Sequence, residues 1–276
     1  MHESVTAKDY VNEYLQKSGA RFSVYRQGSR QVLDEPFDPI PRVLSAEDFT
    51  FLEQGLIQRV NAINLFIGDA YRDRMILRDG IIPEEFVFSS PDFLPEVMHL
   101  SPIKNIYTHI AATDLIHTEE GKWYAIEDSF SVPDGMIYPH LARALLKELD
   151  PAGYNVPGLC DNSGLDILLQ QLYRDISQDH PALEDGIVAL LQEEGGTDSR
   201  YLASLTGAVS AAPEDLIVMD NKVYYRSPTG GFQRVSILHR LVSDHQLDPL
   251  CFDSDSRWGI PHLMEVYAEG NIAVIN

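Results

Sequence analysis

Cysteine is almost missing from this 276-residue chain, which has only Cys160 and Cys251, far apart in sequence. Two thiols so spaced build neither a disulfide framework nor a zinc knuckle, and a reducing compartment suits them. Basic residues are scarce too, 21 Lys and Arg against 42 Asp and Glu, for a net charge of −21. Such a chain is repelled by phosphate backbones and anionic lipid, so no nucleic acid and no membrane partner is expected. The acidic excess also serves solubility alone and names no cationic partner. No run of about 18 apolar residues occurs, and Met1–Val5 has no basic stretch leading into an apolar segment. A soluble, cytoplasmic protein is expected.

Phosphate-binding loops are equally lacking. Gly195-Gly196 runs into Thr197-Asp198 and Gly230-Gly231 into Phe232-Gln233, so neither pair is followed by a lysine. Both read as plain turns. His109, His117, His239 and His245 have no metal-ligand spacing and read as structural or surface residues.

What is present is a 44% hydrophobic content, enough for one large or two modest domains. Residues 5–17 read as a helix with Val5, Tyr10, Val11 and Leu15 on its stripe, and Phe22–Tyr25 with Gln31–Leu33 as a hairpin across Gly28. The prolines of Phe37–Arg42 dictate an extended connector. Ser45, with Glu47 and Asp48 behind it, caps a helix carried to Tyr71, whose core face is Phe49, Leu52, Leu56, Val60, Ile63, Phe66, Ile67 and Ala70. Met75–Pro83 reads as a short strand or loop entering a helix at Pro83-Glu84-Glu85. Helices are expected at Ile137–Leu149, Gly164–Ile176, near Arg200–Leu205 and at Pro261–Ala268. Strands are expected at Gly186–Leu191 and Arg234–Leu241, with a hairpin over Leu216–Tyr225 turning at Asp220-Asn221. Three parts follow: residues 1–36, 37–150 and 151–276.

The clearest hairpin is Ile106–Thr118 with Trp123–Phe130. If Glu119–Lys122 is its loop, Thr118 faces Trp123, Asp114 faces Glu127 and Ala112 faces Ser129, while Asp128 points away. Opposed residues have Cβ atoms about 5 Å apart, where two like charges destabilise unless a cation intervenes. The same face is expected to carry Ile110, Ile116, Trp123 and Ala125, which implies a shielded site. Mg²⁺ is commonly held by one or two carboxylates plus substrate phosphates, and Asp114, Glu127 and Ser129 are oxygen donors of that kind. An exposed acidic edge, or pairing with an arginine, is the plainer alternative.

Several segments together resemble the circularly permuted ATP-grasp proteins often called glutathionylspermidine-synthase-like. They are Phe37–Arg42, Gly55–Arg59 with Asn64, Ile76–Gly80, His109–Leu115, Trp123–Asp128, Pro133–Gly135, Leu247–Leu250 and Gly270-Asn271. The resemblance runs from about residue 22 to 276, weakest across 150–215. It implies an α/β fold, mixed in the α+β sense, with mixed and antiparallel sheet, flanking helices and a partial ATP-grasp-like architecture. It also implies that ATP phosphorylates a carboxylate, that an amine attacks the product, and that Mg²⁺ clamps the phosphates.

The resemblance places metal ligands at Asp114, Glu127 and Ser129, and substrate contacts at Arg240 and Asp244. Arg42 and Arg78 are candidate holders of a substrate carboxylate or members of structural ion pairs, and Asp134 stands where a phosphate-friendly group is usual. Ser129 replaces the asparagine of the resembled cluster. The resembled proteins continue beyond the counterpart of Asn276 into a lysine-bearing glycine-rich loop. A short form is therefore expected that relies on a complementary half, or a full-length relative, to hold ATP and joins a small carboxylate and amine. A non-catalytic scaffold pairing with a full-length relative, or a fragment of a longer chain, are the alternatives.

Overall fold

A computed structural model describes residues 7–17, 22–26, 29–33, 41–133, 135–154, 156–160, 164–178, 180–192 and 198–276. The order begins with α1 (Ala7–Lys17), β1 (Phe22–Arg26), β2 (Ser29–Leu33), α2 (Ala46–Tyr71), α3 (Met75–Arg78) and α4 (Glu84–Phe88). It continues with β3 (Ala112–His117), β4 (Trp123–Ser129), α5 (Ile137–Leu149), α6 (Pro151–Tyr154), α7 (Leu165–Ser177), β5 (Ile187–Leu191), α8 (Asp198–Thr206) and β6 (Val209–Ala211). The last elements are β7 (Leu216–Met219), β8 (Lys222–Arg226), β9 (Phe232–Arg240), α9 (Pro249–Phe252), α10 (Leu263–Ala268) and β10 (Ala273–Ile275). Helices with mixed and antiparallel sheets make this the α/β architecture expected. Among the described residues no helix is long and apolar enough to cross a membrane.

The central sheet is ordered β6-β5-β9-β8-β7, with β10 also pairing β9. Strand β9 organises it: β5 runs parallel along one side, β8 pairs antiparallel with Phe232–Val235, and β10 runs parallel to Ile237–His239. Alternation along the strands sends Leu190 and Ile237 to one core, with Leu141, Leu145, Leu169 and Leu202 of the helices α5, α7 and α8. Leu191 and Leu238 point to the other, with Leu247, Ile260, Leu263 and Val266. Val11 and Leu15 bring α1 onto the first core, but Tyr10 is largely exposed and not part of the stripe; Val5 lies outside the described residues.

Side-chain caps set several boundaries. Ser45 caps α2 by accepting from Asp48 N at 3.0 Å, as its spacing predicts. Helix α2 is amphipathic only in part: Leu52, Leu56, Val60 and Ile63 are half-buried and Ala70 buried, whereas Phe49 is exposed. Met75–Arg78 is a helical turn and not a strand, because both Asp69 carboxylate oxygens accept the Met75 and Ile76 amides at 2.9 Å. Asp220 and Asn221 both take positive φ at the β7–β8 turn, the hairpin geometry their side chains tolerate. Asp248, from the resembled Leu247–Leu250 segment, caps α9 through Leu250 N at 3.0 Å and holds Met264 N of α10 at 2.9 Å.

Candidate functional site

The β3–β4 hairpin confirms the central register: Asp114 pairs with Glu127 and Ala112 with Ser129. Toward the tip the expected pairing fails. A bulge at Ile126 sets Leu115 against Ala125 and His117 against Trp123, so Trp123 does not face Thr118. One extra residue exchanges faces, and Trp123 and Ala125 therefore lie on the side opposite Asp114 and Glu127. There they meet α2, where a groove is lined by Leu52, Leu56, Ile63, Leu115, Trp123 and Ala125. The Trp123 indole donates to Asp48 at 3.0 Å, and the His117 ring stacks on Trp123 with centroids 4.3 Å apart.

Asp128 points to this α2 side, as alternation requires. Arg59 Nε lies 2.8 Å from each of its carboxylate oxygens, and Thr113 Oγ1 donates to it at 2.8 Å. The Arg59 bond, more than any other influence, holds the Asp128 carboxyl below the usual carboxylate range. Asp114 and Glu127 occupy the other face and are exposed, beside the exposed Ile116, Tyr124 and Ile126. The shielding expected around the acids is absent because the bulge took Trp123 and Ala125 away. Two directly opposed carboxylates that form no ion pair among the described residues fit a hard divalent cation that keeps waters.

The same surroundings do not fit a nucleotide's phosphates. Of the cations on α2 and the hairpin, Arg59 is committed to Asp128 and Lys122 lies 3.1 Å from Glu120.

The hairpin base is clamped from two directions. Asn64 of α2 accepts from the Tyr107 and Thr108 amides at 2.8 and 3.1 Å and donates to Thr108 O at 3.2 Å. Asn276, following β10 and buried, accepts from the His109 and Ile110 amides at 2.7 and 3.2 Å. Its amide donates to Thr108 Oγ1, Ile110 O and Phe130 O at 2.9, 2.7 and 2.7 Å. These bonds tie both hairpin strands to the central sheet.

Beside this clamp lies a cavity of about 390 Å³, lined among others by Tyr71, Tyr107, Ser131, Arg240, Asp244 and Tyr267. Arg240, at the end of β9, is buried; Nη1 donates to Val242 O at 2.8 Å and Nη2 lies 3.0 Å from Asp244. Ser131, just beyond β4, donates to Asp244 at 3.3 Å. Sequence resemblance found Arg240 and Asp244, whereas Ser131, Asn276 and the tyrosines carried no spacing signal. Arg42 and Arg78 are exposed and do not line the cavity, and Asp134 and Gly195-Gly196 lie outside the described residues. The Gly230-Gly231 pair is a turn between β8 and β9 with positive φ at both residues.

A family model described as circularly permuted ATP-grasp type 2 matches residues 41–276. The chain belongs to that family. An uncharacterized protein of Synechocystis sp. is 32% identical over 262 residues, which cover 94% of this chain and 54% of the relative. An uncharacterized protein of Mycobacterium tuberculosis is 31% identical over 244 residues, 87% of this chain and 44% of the relative. A Frankia casuarinae relative named "Putative glutamate--cysteine ligase 2-2" is 32% identical over 243 residues, 84% of this chain and 27% of its own length. This ATP-grasp chain thus spans about half the length of the first two relatives and less of the third.

Proposed function

We propose that this chain supplies the metal-holding and substrate-side part of an ATP-dependent carboxylate–amine ligase. One observation carries the reading: in a member of the ATP-grasp family, Asp114 and Glu127 are register partners on an exposed hairpin face, and neither forms an ion pair among the described residues. Family members generally use ATP and Mg²⁺, and one relative bears a ligase name. Asp114 and Glu127 would hold the metal, with the Ser129 hydroxyl a weaker third donor. When bound, the cation supplies electrostatic stabilisation to phosphate oxygens.

The remaining residues position. Arg59 and Thr113 fix Asp128 and thereby the pitch of β4. Asn64 and Asn276 fix the hairpin base against the sheet. Arg240 and Asp244 present a charged pair to the cavity beside Ser131, just past the end of β4. The phosphate cradle is assigned to a complementary polypeptide or segment, since the cations beside the hairpin are already paired.

A second reading, a non-catalytic module that pairs with a full-length relative, is favoured by Ser129, a poorer ligand than an amide carbonyl. The test is ADP release from Mg²⁺-ATP by an equimolar mixture of this chain with the part of the Synechocystis relative outside the matched stretch. The ligase reading expects release that needs both components and is lost in Asp114→Asn. Association without ADP release would support the module instead. Tight nucleotide binding by this chain alone that survives Asp114→Asn would overturn the assignment of the metal face.

A further inference from the structure

We infer that the cavity beside the hairpin is a binding site for a small primary amine with an apolar or aromatic body, held as its ammonium by Asp244. The role of that amine as nucleophile rests on the ligase reading; its binding does not.

Charge makes the choice of ligand. The formally charged side chains lining the cavity are Asp92, Asp244 and Arg240, two carboxylates against one guanidinium, with the imidazole of His245 beside them. Arg240 is buried and its guanidinium already serves Val242 O and Asp244, so an incoming carboxylate would find a satisfied cation and two acids. Asp244 differs: its side chain stays 38% exposed and accepts from one Arg240 nitrogen and the Ser131 hydroxyl. A carboxylate offers about four lone-pair sites, so room remains for an ammonium donor.

The walls suit the rest of such a molecule. Tyr71, Tyr107, Phe252 and Tyr267 are among the aromatic residues that line the cavity. Ring faces attract an organic cation, most strongly when water is excluded. The Tyr107 hydroxyl is buried and has no hydrogen-bond partner, an unspent polar atom on the cavity wall. Tyr267 lines the same cavity as Tyr107 and Asp244, and burial pushes its phenol up to about 12. The volume, about 390 Å³, lies at the small end of ligand pockets.

Position fits a nucleophile site. Glu127 and Ser131 are four residues apart, and at roughly 3.3 Å per extended residue the cavity wall begins within about 13 Å of the metal face.

The test uses the chain without ATP or metal, so its failure is separate from failure of the ligase reading. Binding of 2-phenylethylamine is measured by calorimetry against the matched alcohol 2-phenylethanol and the acid 3-phenylpropionate. The amine should bind at least about tenfold more tightly than either match. Asp244→Asn should abolish that preference, and Met264→Trp, which fills the cavity and leaves the Arg240 pair intact, should block all three. If Asp244→Asn fails to fold, Tyr107→Phe replaces it and should weaken the amine about threefold. An acid that binds as well as the amine, amine binding unaffected by Met264→Trp, or no amine binding at about 10 mM would each overturn the assignment.

Discussion

Arg59 of α2 grips Asp128 of β4 with both carboxylate oxygens engaged, on the face that strand alternation turns away from Asp114 and Glu127. Without that bond Asp128 would keep only the Thr113 hydroxyl and lose its countercharge. Because the folded-state Asp128 carboxyl is held below its ordinary value near 3.8, the bond's contribution is complete above that pH and is lost as pH falls through the lower folded value. Arg59→Ala should therefore lower the thermal midpoint at neutral pH by a small, salt-sensitive amount and flatten its fall below about pH 4. Thermal denaturation across pH 2–7 checks both.

Asn276 satisfies His109 N and Ile110 N just ahead of β3 and Phe130 O just beyond β4. Asn276→Ala leaves several buried backbone groups unpaired and should cost about 2–4 kcal/mol in urea denaturation. Amide exchange at His109 and Ile110 should accelerate more than at Leu190 in the sheet core.

His239 is buried with Nε2 unpartnered and Nδ1 2.9 Å from the Tyr173 hydroxyl. Burial depresses its pKa to about 3, and that of His109 to about 4. A histidine held neutral in the folded state gives its full stability above its unfolded value near 6.5, and protonation of the unfolded chain erodes it below that. Stability should fall by about 1.4 kcal/mol per pH unit per histidine between pH 6 and pH 4. His239→Gln should remove about half of that slope in denaturant titrations at stepped pH.

Gly259 takes φ +114° and a Cβ there would meet Pro249 Cδ at 2.8 Å and Gln246 O at 2.9 Å. Gly207, at φ +78°, opens onto space. Gly259→Ala should cost about 2–4 kcal/mol and Gly207→Ala only about 1 kcal/mol, read as shifts in chemical denaturation midpoint.

Much of the local structure was legible in sequence because its causes are local. The cap at Ser45, the Asp220-Asn221 turn and the Val11 and Leu15 spacing all act within a few residues. Asp114 opposite Glu127 was legible from the hairpin loop. The bulge at Ile126 was not, since it goes together with the seating of Trp123 against Asp48 and α2, a contact between segments far apart in the chain. That one residue reversed the expected environment of the acids from shielded to exposed. The cavity was half legible: Arg240 and Asp244 sit four residues apart, whereas Tyr71, Tyr107 and Tyr267 are joined only by folding.

The most direct measurement is thermal stability of the wild type, Asp114→Asn and Glu127→Gln with and without millimolar Mg²⁺ or Mn²⁺. Without cation each substitution should raise stability by a few tenths of a kcal/mol, because one of two opposed like charges is gone. With cation the wild type alone should gain midpoint temperature, by RT ln(1 + [L]/Kd) converted to a shift. A wild type indifferent to both cations, or one whose gain persists in Asp114→Asn and Glu127→Gln, would contradict a metal site on this hairpin.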